Sequence, residues 1–226
     1  MIQKFQEANY EIVEFEDIAD IYIVNTCTVT NMSDRKSRQM LRRAKELNRE
    51  SIVVAVGCYA QVAKTELEKI EEIDFVLGTN EKTAIVEYIE NFLESRENSV
   101  EIDDVLHNPE YTDFGTITYT EKTRAVVKVQ DGCDRFCSYC IIPYARGRVR
   151  SRKPESILKE ITEIASSGLK EIVITGIHIA SYGKDFKENY KLIDLLEDIN
   201  KIAGIERVRL RFNRATFNNR RVYGKI

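Results

Sequence analysis

Three cysteines follow one another closely at Cys133, Cys137 and Cys140, in the stretch DGCDRFCSYC. The spacing Cys-x3-Cys-x2-Cys offers three thiolates to a metal, whereas a structural zinc site takes four protein ligands. An iron-sulfur cluster held by three cysteines leaves one iron open to a small molecule, which makes a cluster the favoured interpretation. Zinc is the alternative, because His178 follows the next predicted strand and is placed to supply a fourth ligand.

The other two cysteines, Cys27 and Cys58, each come just after a predicted strand, in the stretches NTCTVTN and VGCYAQ. Because the carboxyl ends of parallel strands lie along one edge of a sheet, we expect both thiols to face the same crevice. They are either metal ligands or small buried apolar side chains, which is how most free cysteines behave. Spacing alone leaves these two interpretations open.

The composition indicates a globular protein of a reducing compartment. With 43% hydrophobic residues among 226, the chain can bury a core. It has no apolar run of about eighteen residues and no basic leader, so we expect a cytoplasmic protein without a membrane partner. In the cytoplasm, five cysteines favour metal or redox chemistry over a disulfide framework.

A short basic run follows the cysteine loop. The formal net charge of the whole chain is only −3, so an anionic partner has to bind at a local patch. Arginine forks fit phosphate oxygens, and we expect a nucleic-acid-binding rim here; a solvated loop is the alternative. The predicted phosphate contacts are Arg146, Arg148, Arg150 and Arg152.

The first part of the chain, residues 1–97, is predicted to be an open parallel α/β sheet domain. Three β-branched runs are predicted as buried strands, at residues 19–24, 51–56 and 74–77. Three helices separate and follow them, at residues 34–47 with Ser33 as its N-cap, 64–70 and 81–95. The chain opens on a helical stretch at 2–8 and a strand-like stretch at 10–15, so the strand that should precede this helix is missing from the pattern.

The second part is predicted to be a partial β/α barrel over residues 121–210, after an acidic linker at residues 98–120. Its strands are predicted at residues 124–130, 171–175 and 205–210, and its helices at 154–167 and 190–202. The three clustered cysteines follow the first of these strands, on the face where barrel enzymes carry their active sites. Residues 211–226 are basic and lose the pattern, so we expect an aberrant tail there.

Together these stretches resemble a known family. The segment VQDGCDRFCSYCIIPYARGRVRSR, preceded by NTCTVTNMSDRKSRQ and VAVGCYAQ and followed by EIVITGIHIASYGKD, is similar to the tRNA methylthiotransferases, which are radical S-adenosylmethionine enzymes. Within them it is more similar to the MtaB-type branch than to the MiaB branch, and the resemblance covers residues 1–210. It implies transfer of a methylthio group to C2 of a modified adenosine beside the tRNA anticodon, which in the MtaB branch is N6-threonylcarbamoyladenosine.

The resemblance also implies roles for single residues. Cys133, Cys137 and Cys140 would ligate the 4Fe-4S cluster at which S-adenosylmethionine is cleaved. Tyr139 lies where an aromatic side chain lines the adenine site, with ordinary packing as the alternative. Gly176 lies where the backbone approaches the methionine amino group, with a tight turn as the alternative. The implied partners are tRNA and a reductant protein.

The family carries a second, auxiliary 4Fe-4S cluster on three cysteines, two of which match Cys27 and Cys58. The third belongs to the initial strand that is missing here, and after Leu210 neither the rest of the barrel nor the family's RNA-binding TRAM domain is found. We therefore expect a form truncated at both ends, with little or no activity. The alternative is an RNA-binding fragment, stabilised by zinc or a cluster, without catalysis. The sequence leaves the oligomeric state open.

Overall fold

The structure, a computed structural model, describes residues 1–95, 99–108, 110–113 and 123–211. Contacts divide the chain into two compact units. The first contains Met1–Asn108 and Ser138–Arg146, and the second contains Pro109–Cys137 and Gly147–Ile226. The tail predicted at residues 211–226 lies outside the described residues from residue 212 onward.

The first unit is built on a parallel sheet with the strand order β1-β2-β3-β4. Its strands are β1 (Ile21–Thr26), β2 (Ile52–Gly57), β3 (Phe75–Leu77) and β4 (Ser99–Glu101). Its helices are α1 (Ile2–Glu7), α2 (Asn31–Leu47), α3 (Cys58–Val62), α4 (Lys64–Leu67), α5 (Ile85–Ser95) and, from later in the chain, α6 (Ile142–Arg146). A short 3-10 turn at Glu81–Ala84 precedes α5.

Helices cover both faces of this sheet, as the sequence predicts. All six residues of β2 are buried, and its successive side chains serve two separate cores. Val53 belongs to the core that contains Leu41 of α2. Val54 belongs to the core on the opposite face, which contains Ile89 of α5. A strand covered on both faces needs apolar residues at every position, which explains the unbroken run IVVAV.

The strand predicted at residues 10–15 is wrong. This segment has no strand backbone, although its aromatic side chains do turn towards the unit. The ring of Tyr10 packs on Phe5 and the ring of Phe15 packs on Tyr22, each with centroids 5.4 Å apart. The alternating apolar residues at 10–15 therefore reflect inward packing of side chains. A strand also needs a neighbouring strand to pair with its backbone, and this segment has none among the described residues.

The segment at residues 99–101 and the start of α2 also differ from the sequence prediction. Residues 99–101, expected to begin a linker, form β4 and pair in parallel with β3. Helix α2 begins at Asn31 because Thr30, and not Ser33, is its N-cap: the Thr30 hydroxyl accepts the Ser33 N–H at 3.1 Å. A threonine cap satisfies a backbone donor that the first turn of the helix leaves unpaired.

The second unit contains a sheet with the order β6-β5-β7-β8. Its strands are β5 (Ala125–Asp131), β6 (Arg150–Ser151), β7 (Glu171–Gly176) and β8 (Arg207–Leu210), and its helices are α7 (Pro154–Ser166) and α8 (Leu192–Ile199). Strands β5, β7 and β8 are parallel, and β6 is antiparallel to β5. The parallel wind is the predicted one; the short strand β6 was not predicted.

The core of the second unit lies between this sheet and its two helices. Val127 of β5 and Ile174 of β7 are fully buried in it, together with Ile161 of α7 and Leu195 of α8. Helices that return over parallel strands leave the strand ends free to carry loops at one edge. The loop after β5 contains the clustered cysteines, and the loop after β7 contains His178.

Candidate functional site

The cysteine loop starts at a turn that only glycine can make. Gly132 has a φ of +69°, and a Cβ built on it would lie 1.7 Å from the carbonyl oxygen of Arg148. Both the backbone conformation and the close approach exclude a larger residue. The chain therefore leaves β5 in a fixed direction just before Cys133.

Two hydrogen bonds then hold the ends of this loop together. The Cys133 N–H donates to the Gly147 carbonyl at 3.0 Å. The Asp134 carboxylate accepts the Val149 N–H at 3.2 Å. The loop is therefore closed at its base by one backbone hydrogen bond and by one hydrogen bond to the Asp134 side chain.

The donor set on the loop suits an iron-sulfur cluster. Cys133, Cys137 and Cys140 are free thiols of intermediate exposure. Among the described residues, no group of three or more His, Cys, Asp or Glu side chains is gathered tightly enough to hold a metal ion. The residues fit a cluster by their chemistry and their position in the sequence, because three free thiols lie on a single short loop with no disulfide between them.

Gln130 organises the start of the loop, and the sequence prediction missed it. Its side chain is fully buried, its Nε2 donates to the Gly132 carbonyl at 2.7 Å, and its Oε1 accepts the His178 N–H at 2.8 Å. One amide thereby connects the loop after β5 to the loop after β7. The available signal was the glutamine that ends the predicted strand RAVVKVQ, because an amide buried at a strand end needs hydrogen-bonding partners.

Gly176 and His178 follow at the end of β7. A Cβ on Gly176 would lie 2.9 Å from the Gln130 carbonyl oxygen, so the glycine allows two backbones to approach closely. The imidazole of His178 is buried, and its Nδ1 lies 2.7 Å from the Ser181 hydroxyl. This contact gives the His178 ring a hydrogen-bonding partner within its own loop.

The aromatic residues of the loop are turned outward. Tyr139 is 82% exposed, so it is not packed against the loop, the plain alternative weighed for it. Phe136 has a φ of +43°, which is uncommon for a residue other than glycine. The guanidinium of Arg148 lies 5.5 Å from the centre of the Phe136 ring.

Cys27 and Cys58 lie at neighbouring strand ends. The register of β1 and β2 pairs Thr26 with Gly57, and each cysteine is the next residue along its chain. Gly57 has a φ of +109°, and a Cβ there would lie 2.6 Å from the Thr26 carbonyl oxygen, so this edge tolerates no larger residue. The register confirms that both thiols belong to the same edge of the sheet.

The two thiols have different surroundings. Cys27 is exposed, and its N–H donates to the Ser37 hydroxyl at 3.4 Å. Cys58 is half-buried, and its sulfur accepts a hydrogen bond from the Arg146 Nε at 3.1 Å. Cys58 is therefore a thiol beside a cation and not a small apolar core residue.

The four arginines do not form one phosphate-binding rim. The structure buries Arg150, whose guanidinium donates to the Glu110 carbonyl at 3.1 Å. Arg152 is also buried and forms ion pairs with Asp113 and Glu160. This burial overturns the interpretation of Arg150 and Arg152 as phosphate contacts, and the physical reason is strand β6, which turns this segment inward beside β5.

The two other arginines are placed differently from these. Arg146 is engaged on the Cys58 sulfur. The Arg148 side chain is 64% exposed, so its guanidinium is accessible to solvent. The Asp134 carboxylate lies 3.9 Å from this guanidinium. Arg148 is the member of the basic run whose position suits contact with a phosphate.

A buried acid also lies in the first unit. Glu81 accepts the Asp103 N–H through Oε1 at 2.9 Å. Its Oε2 is buried and has no hydrogen-bond partner among the residues that the structure describes. Burial raises the pKa of Glu81 above the ordinary value of 4.5, and backbone N–H groups that bond its carboxylate, including that of Asp103, offset part of this rise.

Two known families match this chain. Residues 1–78 match the family described as "Uncharacterized protein family UPF0004". Residues 127–223 match the "Radical SAM superfamily". The first match lies in the open-sheet unit, and the second begins in β5 and includes the cysteine loop.

Curated relatives align along most of this chain, through both of the matched domains. "Threonylcarbamoyladenosine tRNA methylthiotransferase MtaB" of Aquifex aeolicus is 46% identical, over 92% of this chain and 50% of that protein. The protein of the same name from Bacillus subtilis is 41% identical, over 92% of this chain and 46% of that protein. "tRNA-2-methylthio-N(6)-dimethylallyladenosine synthase" of Dictyoglomus thermophilum is 37% identical, over 90% of this chain and 47% of that protein. The chain thus spans about half the length of these relatives.

A solved structure supports the fold. The radical S-adenosylmethionine methyltransferase TsrM from Kitasatospora setae, with tryptophan and aza-SAM bound, has a TM-score of 0.51 to this chain. It is 16% identical and covers 87% of this chain and 42% of that one, a likeness that shows the fold alone. Both domain matches thus occur in one chain, and this chain is similar along 92% of its length to relatives named tRNA methylthiotransferases, of which it spans about half.

Proposed function

We propose that this chain is the part of a tRNA methylthiotransferase that holds the radical cluster and cleaves S-adenosylmethionine. The observation that carries the proposal is the Cys-x3-Cys-x2-Cys loop at the carboxyl end of β5, in a chain whose relatives are named for tRNA methylthiolation. Cys133, Cys137 and Cys140 are the proposed ligands of a 4Fe-4S cluster. When bound there, such a cluster supplies the one-electron chemistry by which S-adenosylmethionine is cleaved to a carbon radical.

The chain's own residues give this loop its shape. Gly132 sets the direction in which the chain leaves β5, and Gln130 connects the loop to the segment after β7. The bare backbone of Gly176 suits close approach of the methionine part of S-adenosylmethionine. The exposed ring of Tyr139 is available to pack on the adenine part.

The proposed substrate is N6-threonylcarbamoyladenosine beside the tRNA anticodon, modified at C2. Support comes from the 46% and 41% identical relatives that carry this base in their names. Relatives named for the dimethylallyl base are 37% and 40% identical. Arg148 is the proposed contact with the tRNA backbone, because its guanidinium is exposed to solvent.

Cys27 and Cys58 are the proposed ligands of the auxiliary 4Fe-4S cluster, which would supply sulfur. The described residues give two thiols at this edge, so a four-iron cluster needs a further ligand there. A reductant protein is the remaining proposed partner, and we place the reaction in the cytoplasm. None of the described helices is long and apolar enough to cross a membrane.

The substrate proposal is tested with two tRNA pools, one carrying the threonylcarbamoyl base and one the dimethylallyl base. Anaerobically reconstituted chain is incubated with S-adenosylmethionine and a chemical reductant, and nucleosides are measured by mass spectrometry. We expect any methylthio product, even at less than one turnover, to form on the threonylcarbamoyl pool. Product on the dimethylallyl pool alone would refute the substrate assignment.

The rival function, RNA binding without catalysis, predicts a different result for the same preparation. In that case the chain binds tRNA in a salt-dependent manner, holds zinc or an inert cluster, and forms no 5′-deoxyadenosine. Arg148→Ala should reduce the salt dependence of tRNA binding by about one unit of slope if Arg148 contacts a phosphate. An unchanged slope would remove Arg148 from the interface.

A further inference from the structure

An arginine lies directly on one of the proposed iron ligands. The Nε–H of Arg146, the last residue of α6, donates to the sulfur of Cys58, the first residue of α3, at 3.1 Å. Both residues belong to the first unit. A charged donor on a sulfur acceptor makes a stronger hydrogen bond than a neutral one, and the bond is strongest when the sulfur is a thiolate.

Helix α6 is fixed where it presents this side chain. Ala145, the residue before Arg146, is 1% exposed, and its carbonyl accepts a hydrogen bond from the Thr79 hydroxyl at 3.2 Å. Pro143 of the same helix is also buried. Arg146 therefore extends from a packed helix, and its contact with Cys58 is not that of a long side chain on an open surface.

The backbone around Cys58 is equally constrained. The Thr26 hydroxyl donates to the Val56 carbonyl at 2.7 Å and accepts the Ala60 N–H at 3.1 Å, so it clamps both sides of the cysteine. The turn at Gly57, whose φ of +109° suits glycine, sets the direction in which Cys58 leaves β2. In metal sites, hydrogen bonds from residues outside the ligand set hold the ligand atoms in one orientation. The fixed backbone of Cys58 and the donor on its sulfur form such an arrangement.

We propose that Arg146 is a positioning residue that orients the Cys58 sulfur as a metal ligand. This inference rests on the proposed function, in which Cys58 is an iron ligand. It assigns Arg146 to the auxiliary site and removes it from the tRNA contacts expected from the sequence. The hydrogen bond neutralises part of the negative charge that a metal thiolate carries, and it holds the sulfur in one direction.

The contact itself is tested on the metal-free, reduced chain by NMR of the arginine side chains. The Nε–H signal of Arg146, identified by its loss in Arg146→Lys, should shift in Cys58→Ala and stay in place in Cys27→Ala. If the Arg146 Nε–H signal does not shift in Cys58→Ala, the proposal is overturned, because the hydrogen bond is then absent in solution.

The effect on metal binding is tested with Co²⁺ alone, whose sulfur-to-metal absorption reports bound thiolates. The Cys58-dependent signal is the difference between the chain and its Cys58→Ala variant. Arg146→Ala should weaken the affinity of that signal roughly 10- to 100-fold, the usual effect of losing an outer hydrogen bond to a metal ligand. Arg146→Lys, which keeps the charge, should lose less, and Arg49→Ala, at an exposed position of the first unit, is the matched control that should lose nothing.

Two outcomes contradict the inference here. Either Arg146→Ala keeps the Co²⁺ affinity of the unsubstituted chain, or Cys58→Ala itself removes no absorption, which shows that Cys58 is not a ligand. Failure of the wider proposed function looks different: no iron-sulfur cluster then forms on Cys133, Cys137 and Cys140. The NMR and Co²⁺ measurements do not depend on that cluster, and circular dichroism melting checks that each variant is folded.

Discussion

At the scale of single residues, burial separates arginines that stand close together in the sequence. Arg152 is 5% exposed and pairs with Glu160, which is 3% exposed, whereas the side chain of Arg148 is 64% exposed. A buried charge that loses its partner costs far more than a surface charge, because nothing replaces its lost hydration. The two arginines should therefore respond differently to the same substitution.

Arg152→Ala should lower the free energy of unfolding by about 3–5 kcal/mol, since it leaves the buried carboxylate of Glu160 without its cation. Arg148→Ala is the control, and its effect should stay within about 0.5 kcal/mol. Urea denaturation of both variants measures the difference. Equal and small effects would mean that Arg152 is exposed in solution and returns to the candidates for phosphate binding.

Glu81 makes stability depend on pH. Its pKa in the folded chain is raised by burial, so the unfolded chain loses the proton at a lower pH than the folded chain. The contribution of Glu81 is therefore most favourable at low pH and declines as pH rises from the ordinary pKa of 4.5 through the raised one. Glu81→Gln keeps an oxygen to accept the Asp103 N–H and removes this ionisation.

We expect Glu81→Gln to unfold like the unsubstituted chain at acidic pH and to become relatively more stable as pH rises towards neutrality. Urea midpoints measured over this pH range for both proteins give the difference in the free energy of unfolding. A difference that is constant with pH would show that the Glu81 carboxyl is hydrated in the folded chain.

At the scale of elements, the turn between β5 and the cysteine loop depends on Gly132. Gly168, which follows α7, offers a matched comparison: its φ is +87°, but a Cβ there meets nothing within 4 Å. Gly168→Ala should cost only the left-handed backbone strain, about 1–2 kcal/mol. Gly132→Ala should cost clearly more, because its Cβ also collides with the Arg148 carbonyl.

Urea denaturation and the iron content after reconstitution are measured for both glycine variants. Gly132→Ala should lose stability and also iron, while Gly168→Ala should keep its iron. If Gly132→Ala retains both, the loop after β5 adopts another path and the described base of the loop is wrong.

The two strand-end thiols of the first unit allow a second prediction at this scale. Because Cys27 and Cys58 alone are too few for a stable four-iron cluster, reconstituted chain should carry about four irons and not about eight. Iron and sulfide analysis of protein reconstituted without oxygen provides the count. A value near eight would show that another residue or a partner chain completes the auxiliary site.

At the scale of the whole molecule, the alternation of apolar runs and helices was enough to predict an α/β fold with parallel sheets. It succeeded because strands such as β2 are buried on both faces and therefore carry an unbroken apolar run. It failed at residues 10–15, where side chains turn inward without a paired strand, and at residues 99–101, which form β4. Pairing depends on neighbours distant in sequence, which local periodicity does not report.

The candidate site divides in the same way. The position of the cysteines after β5, and of Cys27 and Cys58 at one sheet edge, follows from strand order and was predicted. The burial of Arg150 and Arg152 depends on strand β6, only two residues long, and the role of Gln130 depends on a contact with His178. Such contacts become visible only when the folded chain brings both partners together.

The central claim, that Cys133, Cys137 and Cys140 hold a cluster that cleaves S-adenosylmethionine, is tested by one measurement on the reconstituted chain. S-adenosylmethionine and dithionite are added without oxygen, and 5′-deoxyadenosine is measured by mass spectrometry in the chain, in Cys137→Ala and in the control Cys27→Ala. We predict 5′-deoxyadenosine from the chain and from Cys27→Ala, and none from Cys137→Ala, because two thiolates are too few to hold the cluster. Undiminished 5′-deoxyadenosine from Cys137→Ala, or none from the iron-loaded chain, would contradict the assignment.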